Sequence, residues 1–208
     1  KLWDQLRASM SNTQVGGSYV PFFQCIGNHD HNSLESDGAD PLDDDYRAGG
    51  KFVEMVGPTD YSFDRGKAHI VVMDDIMVYA LSSSSKPNGK TWDYYGGFSD
   101  AQYEWFRQDI ANVKDPANTV LVFCSHIPFR NGGSNSGANV NTARHYADFL
   151  NIFKGFKECH IMIGHTHYAQ NWIHTSYVCK GGKPIYEHVH QAACGAWWNG
   201  NVSVIGDP

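Results

Sequence analysis

Apolar residues recur along the chain at two spacings, and these spacings predict an alternation of strands and helices. Leu2, Leu6 and Met10 repeat at every fourth position, which predicts a helix already under way at residue 1. The run 19–26 is largely apolar and is followed by a glycine, so it predicts a buried strand with a loop after it. Further strands are predicted at 61–64, 68–73, 119–124, 159–163, 170–175 and 186–193.

Two more helices are predicted in the second half of the chain. Ser99 and Gln102 form the S-x-x-Q pattern of a capping box, which marks the start of a helix. The predicted inner face of this helix carries Tyr103, Phe106, Ile110 and Val113. The other helix has an apolar face made of Ala143, Tyr146, Ala147, Leu150 and Phe153. The polar stretches 37–45, 82–97 and 131–141 predict loops.

The order of these elements predicts an α/β fold, arranged as a layered α/β sandwich. A length of 208 residues fits one domain that spans 1–208. Apolar residues make up 41% and charged residues 18%, so the chain can bury a core and is not a disordered segment. No apolar run is long enough to predict a membrane span. The formal net charge of −6 provides no basic footprint for nucleic acid.

Histidine is unusually frequent, with 11 residues, and metal binding is the first explanation to test. The five cysteines do not form a disulfide framework. Cys25, Cys124 and Cys159 lie in apolar runs and are expected to be buried thiols. Cys179 and Cys194 could pair, so the redox compartment stays open.

Three polar clusters share one arrangement, because each follows an apolar predicted strand. They are the segments 27–30 (Gly-Asn-His-Asp), 125–128 (Ser-His-Ile-Pro) and 164–167 (Gly-His-Thr-His). In open α/β sheets, sites form in the crevice at the carboxyl ends of the strands. The three clusters are therefore predicted to converge in space.

Each cluster offers groups that bind metals or move protons. Asn28 supplies a neutral carbonyl oxygen, and His29 beside Asp30 is a histidine whose proton can be held and aimed. His165 and His167 are two positions apart and point to the same side of an extended chain. The alternatives are a turn with a surface histidine at 27–30, a core histidine at 126 and a pair of surface histidines at 164–167.

As a set, and in this order, the three clusters resemble the motifs of the calcineurin-like metallophosphoesterases. The stretch 60–64 running into 69–74 is similar to a hairpin of that family, and 99–106 is similar to its S-x-x-Q-x-x-W-F/L helix. The resemblance covers residues 19–200. It implies a layered α/β/β/α sandwich that hydrolyses a phosphate mono- or diester at a dinuclear metal site.

The resemblance implies two divalent metal ions and assigns four ligands in this chain. Asn28, His126 and His165 match ligands of one ion, and His167 matches a ligand of the other. These side chains are nitrogen and oxygen donors, which suit Mn, Fe or Zn better than Ca.

The resemblance also implies catalytic residues. His29 matches the histidine that contacts the phosphate and can protonate the leaving group, and Asp30 matches the acid that orients it. Arg130 could bind a phosphate bidentately, or it could be a solvated arginine. Trp197 and Trp198 could form a wall of the substrate cleft, or they could serve in packing. The histidines that match no motif are expected to be structural or surface residues: His31, His160, His174, His188 and His190.

Two motifs of the family are missing from this sequence, an early D-x-H and the G-D whose aspartate bridges both ions. Neither precedes Asn28, and the only Gly-Asp pair is Gly206-Asp207. We therefore expect a domain that lacks its first N-terminal βαβ unit and is truncated at both ends. Because the matched ligands are all neutral, we expect fewer than two metal ions in this chain and little activity from it alone.

Three functions follow from these patterns, and the first two are of different classes. The first is a metal-dependent phosphoesterase acting on a small phosphorylated substrate, of which this chain is a catalytically incomplete part. The second is a non-catalytic binding protein that retains the same sandwich, and a third is a single-ion histidine site with a structural role. The tail, rich in glycine and tryptophan, is similar to exported bacterial members of the family. That similarity favours export to the periplasm and implies flanking β domains in the whole protein.

Overall fold

The computed structural model of the chain describes residues 2–15, 17–31, 41–81, 92–130 and 145–191. The α-helices in this part are α1 (Leu2–Asn12), α2 (Pro41–Met55), α3 (Asp100–Ala111) and α4 (Tyr146–Phe153), and a 3₁₀ turn spans Pro116–Asn118. The strands are β1 (Gln14–Val15), β2 (Ser18–Tyr19), β3 (Tyr61–Arg65), β4 (Ala68–Val72), β5 (Ile76–Ala80), β6 (Trp92–Gly96), β7 (Val120–Cys124), β8 (Glu158–Ile163), β9 (Gln170–Val178) and β10 (Pro184–Val189). None of the described helices has the length and apolar character that crossing a membrane requires.

Six of the strands form one mixed sheet in the order β3-β4-β7-β8-β10-β9. Strands β4, β7, β8 and β10 run parallel, whereas β3 and β9 pair antiparallel at the two edges. Strands β1 and β2 form one separate hairpin, and β5 and β6 form another. The predicted α/β class is confirmed, and the parallel strands all end at one edge of the sheet.

Helices α3 and α4 cover one face of this sheet, and the core lies between these helices and the sheet. Leu121 and Phe123 of β7 are fully buried there, while the alternate residues of the strand, Val120, Val122 and Cys124, are only half-buried. Phe149 of α4 lies at the centre, with its ring centroid 4.3 Å from that of Phe98 and 4.5 Å from that of Phe106. Such aromatic contacts dominate core energetics because each ring removes a large apolar area from water.

The prediction of helix α3 is confirmed, including the capping box at its N-terminus. The Ser99 hydroxyl accepts the backbone N–H of Gln102, and the Gln102 side chain accepts the backbone N–H of Ser99. Phe106 is buried on the inner face, and the other three predicted residues of that face pack partly buried against the same core.

Most predicted strands are confirmed within a few residues. The stretches 61–64, 68–73, 119–124 and 159–163 correspond to β3, β4, β7 and β8, and 170–175 corresponds to the longer β9. The stretch 186–193 corresponds to β10, although its last two residues lie outside the described part.

The predicted first helix is α1, and the helix with the apolar face at Tyr146 and Phe153 is α4. Ala143 is outside the described part.

The prediction of a buried strand over 19–26 is wrong. Strand β2 ends at Tyr19, and residues 20–26 pair with no strand in the described part of the chain. Phe22 and Phe23 remain 44% and 57% exposed, and the ring of Phe23 stacks on that of Phe63 in β3. The Tyr61 hydroxyl donates to the carbonyl of Gln24 at 2.8 Å. A side-chain hydrogen bond from β3 therefore contacts this segment, where backbone hydrogen bonds between paired strands were expected.

Two predicted loops contain regular structure. Helix α2 begins at Pro41, so the stretch 37–45 is helical from 41 onward; proline is favoured at the first helical position, where its missing N–H costs nothing. Strand β6 occupies the end of the stretch 82–97 and pairs with β5. Residues 82–91 and the predicted loop 131–141 lie outside the described residues.

The described cysteines are free thiols. Cys159 is buried as expected, whereas Cys25 and Cys124 are only half-buried. Cys179 is also a buried free thiol, and its proposed partner Cys194 lies outside the described residues.

Candidate metal centre

The turns that follow three parallel strands lie side by side at one edge of the sheet. Strand β4 is followed by Asp74 and Asp75, β7 by Ser125 and His126, and β8 by the segment 164–167. The last two turns are joined directly, since the backbone N–H of Gly164 donates to the carbonyl of His126 at 3.2 Å. The turn 27–30 packs against the same edge, which gathers all three polar clusters into one place.

Three side chains from these clusters meet at one nitrogen atom. His126 Nε2 lies 2.8 Å from Asn28 Oδ1 and 3.1 Å from His165 Nδ1. The Asn28 amide nitrogen donates to the Tyr94 hydroxyl oxygen at 3.0 Å, which leaves its oxygen to face the histidines. The structure therefore brings together the three residues that the motifs assigned to one metal ion.

The electrostatic state of this cluster suits a metal better than a proton. Burial, together with the neighbouring His165, lowers the pKa of His126 to about 3. Burial and His167 lower the pKa of His165 to about 4. Both imidazoles are therefore neutral at pH 7 and keep a lone pair, which a metal ion can use.

The spacing of the donor atoms fits a single divalent ion. Donor atoms about 2.0–2.1 Å from a tetrahedral zinc ion are about 3.3 Å apart, slightly farther than the two separations around His126 Nε2. A Cβ atom on Gly27 would lie 3.0 Å from the His126 ring, so a larger residue at this position would require the ring to shift by a few tenths of an ångström. In the part of the chain that is described, no group of three or more His, Cys, Asp or Glu side chains could hold a metal ion.

The turn 164–167 holds its two histidines in an uncommon backbone conformation. His165 has φ of 66° and His167 has φ of 63°, both in the left-handed region that non-glycine residues seldom adopt. The backbone N–H of Thr166 donates to the carbonyl of Gly164 at 2.8 Å, and its hydroxyl oxygen is buried without a hydrogen-bond partner in the described structure. Strain and unpaired polar atoms of this kind cluster at binding sites.

A small cleft of about 270 Å³ opens above the donor atoms. Its described lining is Asn28, His29, Tyr94, His165, Thr166 and His167. His29 is exposed on its wall. The Asp30 carboxylate accepts the backbone N–H of Gly27 at 2.9 Å and so closes the turn that presents His29. Burial raises the pKa of Asp30.

The motifs indicated no role for His31 at the site; as expected of a structural residue, it is buried at this edge of the sheet. Its Nδ1–H donates to the Gly27 carbonyl and its Nε2–H donates to Asp74, both at 3.0 Å. Burial alone would lower the pKa of His31, but Asp74 and the Gly27 carbonyl raise it to about 9. The imidazolium thus ties the turn that carries Asn28 to the end of β4.

Asp75 is the second residue that the motifs did not indicate. Its buried carboxylate accepts the backbone N–H of His126 at 2.9 Å and that of Ile127 at 2.9 Å, and it accepts the Tyr146 hydroxyl at 3.1 Å. Burial raises the pKa of Asp75 to about 7 even though the backbone bonds from Ile127 and His126 oppose this. The available signal was a pair of aspartates directly after a buried apolar strand.

The weaker substrate-binding predictions have different outcomes. The Arg130 guanidinium lies 3.0 Å from the ring centroid of Trp172 on β9, and its backbone N–H donates to Glu187 at 3.1 Å. Arg130 does not belong to the described lining of the cleft. Trp197 and Trp198 lie outside the described residues.

The mixed sheet with helices on its face, and with polar side chains gathered at the carboxyl edge of its parallel strands, places the chain in the α/β class. Sequence comparison identifies the family. Residues 3–169 match the calcineurin-like phosphoesterase family, and the chain belongs to that family. A comparison with curated proteins finds no match.

One solved structure similar to this chain is purple acid phosphatase PPD1 from seeds of yellow lupin, Lupinus luteus. The two share 16% sequence identity with a TM-score of 0.48. The similarity covers 94% of this chain and 36% of the lupin chain, so the present chain spans well under two thirds of that protein.

Proposed function

We propose that this chain carries the metal-ligating and proton-donating part of a metal-dependent phosphoesterase that hydrolyses a phosphate mono- or diester. The observation that carries the proposal is the meeting of Asn28 Oδ1 and His165 Nδ1 at His126 Nε2, at 2.8 and 3.1 Å. Membership of the calcineurin-like phosphoesterase family supports the reaction class. The cleft of about 270 Å³ favours a small phosphorylated substrate.

In this proposal Asn28, His126 and His165 hold one divalent ion of Mn, Fe or Zn, and His167 in the same cleft is a ligand for a second ion in the whole protein. When bound, such an ion polarises a phosphoryl oxygen and lowers the pKa of a coordinated water. The neutral imidazoles supply lone pairs without first losing a proton at pH 7, because burial has already lowered the pKa of both.

His29 is proposed to bind the phosphoryl group and to donate a proton to the leaving oxygen. It is exposed on the wall of the cleft, where an imidazole N–H can reach a substrate oxygen. Asp30 contributes by closing the turn through Gly27, which limits the positions that the His29 backbone can adopt. Direct orientation of the His29 ring by Asp30 stays a prediction.

We further propose that this chain alone holds fewer than two metal ions. Two divalent cations about 4 Å apart repel by on the order of 16 kcal/mol at an effective dielectric constant of 20, unless an anion lies between them. The four matched ligands are neutral. The nearby carboxylates Asp74 and Asp75 are engaged with His31 and with the backbone of the turn 125–128.

The test compares hydrolysis of bis(p-nitrophenyl) phosphate and p-nitrophenyl phosphate by the whole protein and by this chain, each with added Mn²⁺. We expect His165→Ala to lower kcat/KM of the whole protein at least about 100-fold, because it removes a metal ligand. His160→Ala is the matched control, since His160 lies on β8, the strand that leads into the turn carrying His165, but bonds to His188 and Glu158 away from the cleft.

A non-catalytic binding protein is the alternative. It predicts no turnover by the whole protein under these conditions, whereas a single-ion histidine site with a structural role predicts metal-dependent melting without turnover. Turnover by the whole protein that His165→Ala abolishes would contradict the alternative. Elemental analysis that finds two tightly held ions in this chain would contradict the proposed metal stoichiometry.

A further inference from the structure

The Asn28 side chain lies between two partners that could both be satisfied by either orientation of its amide. On one side its oxygen faces His126 Nε2 at 2.8 Å, and on the other its nitrogen donates to the Tyr94 hydroxyl oxygen at 3.0 Å. Asn28 is only 9% exposed, so water cannot readily replace a lost partner. Tyr94 lies on β6, a strand far from Asn28 in sequence.

Only one of the two orientations can bind a metal ion. With the oxygen toward His126, the amide supplies a ligand atom, and its N–H groups need an acceptor on the other side. With the amide reversed, an N–H would donate to the His126 lone pair and the ligand oxygen would turn away. A hydroxyl both donates and accepts, so Tyr94 can satisfy the metal-binding orientation without penalising the other.

We propose that Tyr94 is a positioning residue that keeps the Asn28 oxygen available as a metal ligand; this inference rests on the proposed function. Removing the Tyr94 hydroxyl leaves the Asn28 N–H without this acceptor when the oxygen faces the metal. In the metal-free protein the amide can reverse and donate to His126; its oxygen then lacks the Tyr94 donor, but an unpaired carbonyl oxygen is better tolerated than an unpaired N–H. The larger loss therefore falls on the metal-bound state, and metal affinity decreases more than metal-free stability.

The edge of the Tyr94 ring adds a second contact with the same site. Its centroid lies 6.1 Å from that of His165, with the two rings nearly perpendicular at 81°. Phenylalanine retains this packing, so Tyr94→Phe isolates the hydroxyl. Tyr79 on the neighbouring strand β5 is a matched control, because its ring packs against Tyr95 at 5.8 Å and is not in the described lining of the cleft.

The experiment titrates Co²⁺ into this chain and its variants and follows the visible absorption bands of the bound ion. We expect Tyr94→Phe to weaken Co²⁺ binding about tenfold, the size of effect seen when a partner behind a metal ligand is removed. Tyr79→Phe should change it less than about twofold. In urea unfolding of the metal-free protein, the free energy of unfolding should decrease less in Tyr94→Phe than the free energy of Co²⁺ binding does.

An Asn28→Asp background provides a second readout. The two oxygens of a carboxylate are equivalent, so reversal no longer removes a ligand atom, and Tyr94→Phe should then weaken Co²⁺ binding less than about threefold. Equal Co²⁺ affinity in wild type and Tyr94→Phe would overturn the role of Tyr94 and leave the proposed function standing. A lower unfolding midpoint without a change in affinity would also overturn it, because that result indicates a purely structural tyrosine. A wild-type chain that binds no Co²⁺ would contradict the metal site itself and therefore both proposals.

Discussion

His31 illustrates how much of the candidate site depends on single side chains that carry no motif. Its side chain is fully buried, and the carboxylate it contacts on Asp74 is nearly so. Asp74 also accepts the backbone N–H of Ile76 at 2.9 Å, so the pair connects the turn 27–30 to the start of β5. A buried pair of this kind fixes geometry, since breaking it leaves a charge without compensation.

Replacing His31 by glutamine should lower the free energy of unfolding by about 3 kcal/mol at pH 7, because Asp74 loses its buried cationic partner. The folded pKa of about 9 lies above the ordinary value of 6.5, so the stabilisation is fully present below pH 6.5 and is lost as pH rises through about 9. The difference between wild type and His31→Gln in urea unfolding should therefore shrink from pH 7 to pH 10. His160→Gln, at a half-exposed position, is the control. A difference that stays constant over this range would show that the pair is not ionised as described.

At the scale of elements, the first turn of α3 is connected to the edge of the sheet that carries the site. The Gln102 amide nitrogen donates to Asp60 at 3.0 Å and to the backbone carbonyl of Asp74 at 2.7 Å, while its oxygen accepts from Ser99. The burial of Asp60 and its neighbour Asp74 raise the pKa of Asp60 to about 6. The capping box therefore joins a helix to the end of β4 in addition to starting that helix.

Ser99→Ala should lower the free energy of unfolding by about 1 kcal/mol, the usual cost of a lost N-cap. Gln102→Ala should cost more, because it also removes the two bonds to Asp60 and Asp74. Gln108→Ala on the exposed side of the same helix should stay within about 0.5 kcal/mol. Chemical denaturation of the three variants measures the order of these losses in the free energy of unfolding. A Ser99→Ala loss larger than that of Gln102→Ala would contradict the connection to the sheet.

At the scale of the whole molecule, the core and the candidate site occupy different parts of one sheet. The core lies on the face that α3 and α4 cover, whereas the site lies at the carboxyl edge of the parallel strands. Helix α2 packs on the separate β5–β6 hairpin, where Ala48, Ile76 and Val78 form a second, smaller cluster with Ile127. Stability and metal binding should therefore respond to different substitutions.

Phe149→Ala should cost about 3–5 kcal/mol, because it opens a cavity in the centre of the aromatic core. Phe149→Leu should cost less, since it keeps most of the side-chain volume. Where Phe149→Leu remains folded, its Co²⁺ affinity should equal that of wild type within about twofold, as expected for sites without shared partners. A parallel loss of stability and affinity in Phe149→Leu would show that the core and the site are coupled.

Local sequence pattern was sufficient for the elements whose two sides differ sharply in polarity. Helix α3 follows from its capping box and its apolar face, and β7 and β8 follow from short apolar runs bounded by polar residues. The same reasoning located His126 and His165 together, because the carboxyl ends of parallel strands meet at one edge of a sheet. Asn28 joins them although the segment before it forms no strand. The reasoning failed over 19–26, since an apolar run does not show whether a neighbouring strand is there to pair with it.

Contacts between distant segments were decided only by the tertiary structure. Tyr94 is 66 positions from Asn28, and Asp75 is 51 positions from His126, so no local spacing relates them. Periodicity reports that one face of an element is buried, but not which polar atom lies opposite it. The partners of the candidate site, Tyr94, Asp75 and the His31–Asp74 pair, therefore emerge only when the fold places donors and acceptors within hydrogen-bond distance in a buried region, where each must be satisfied.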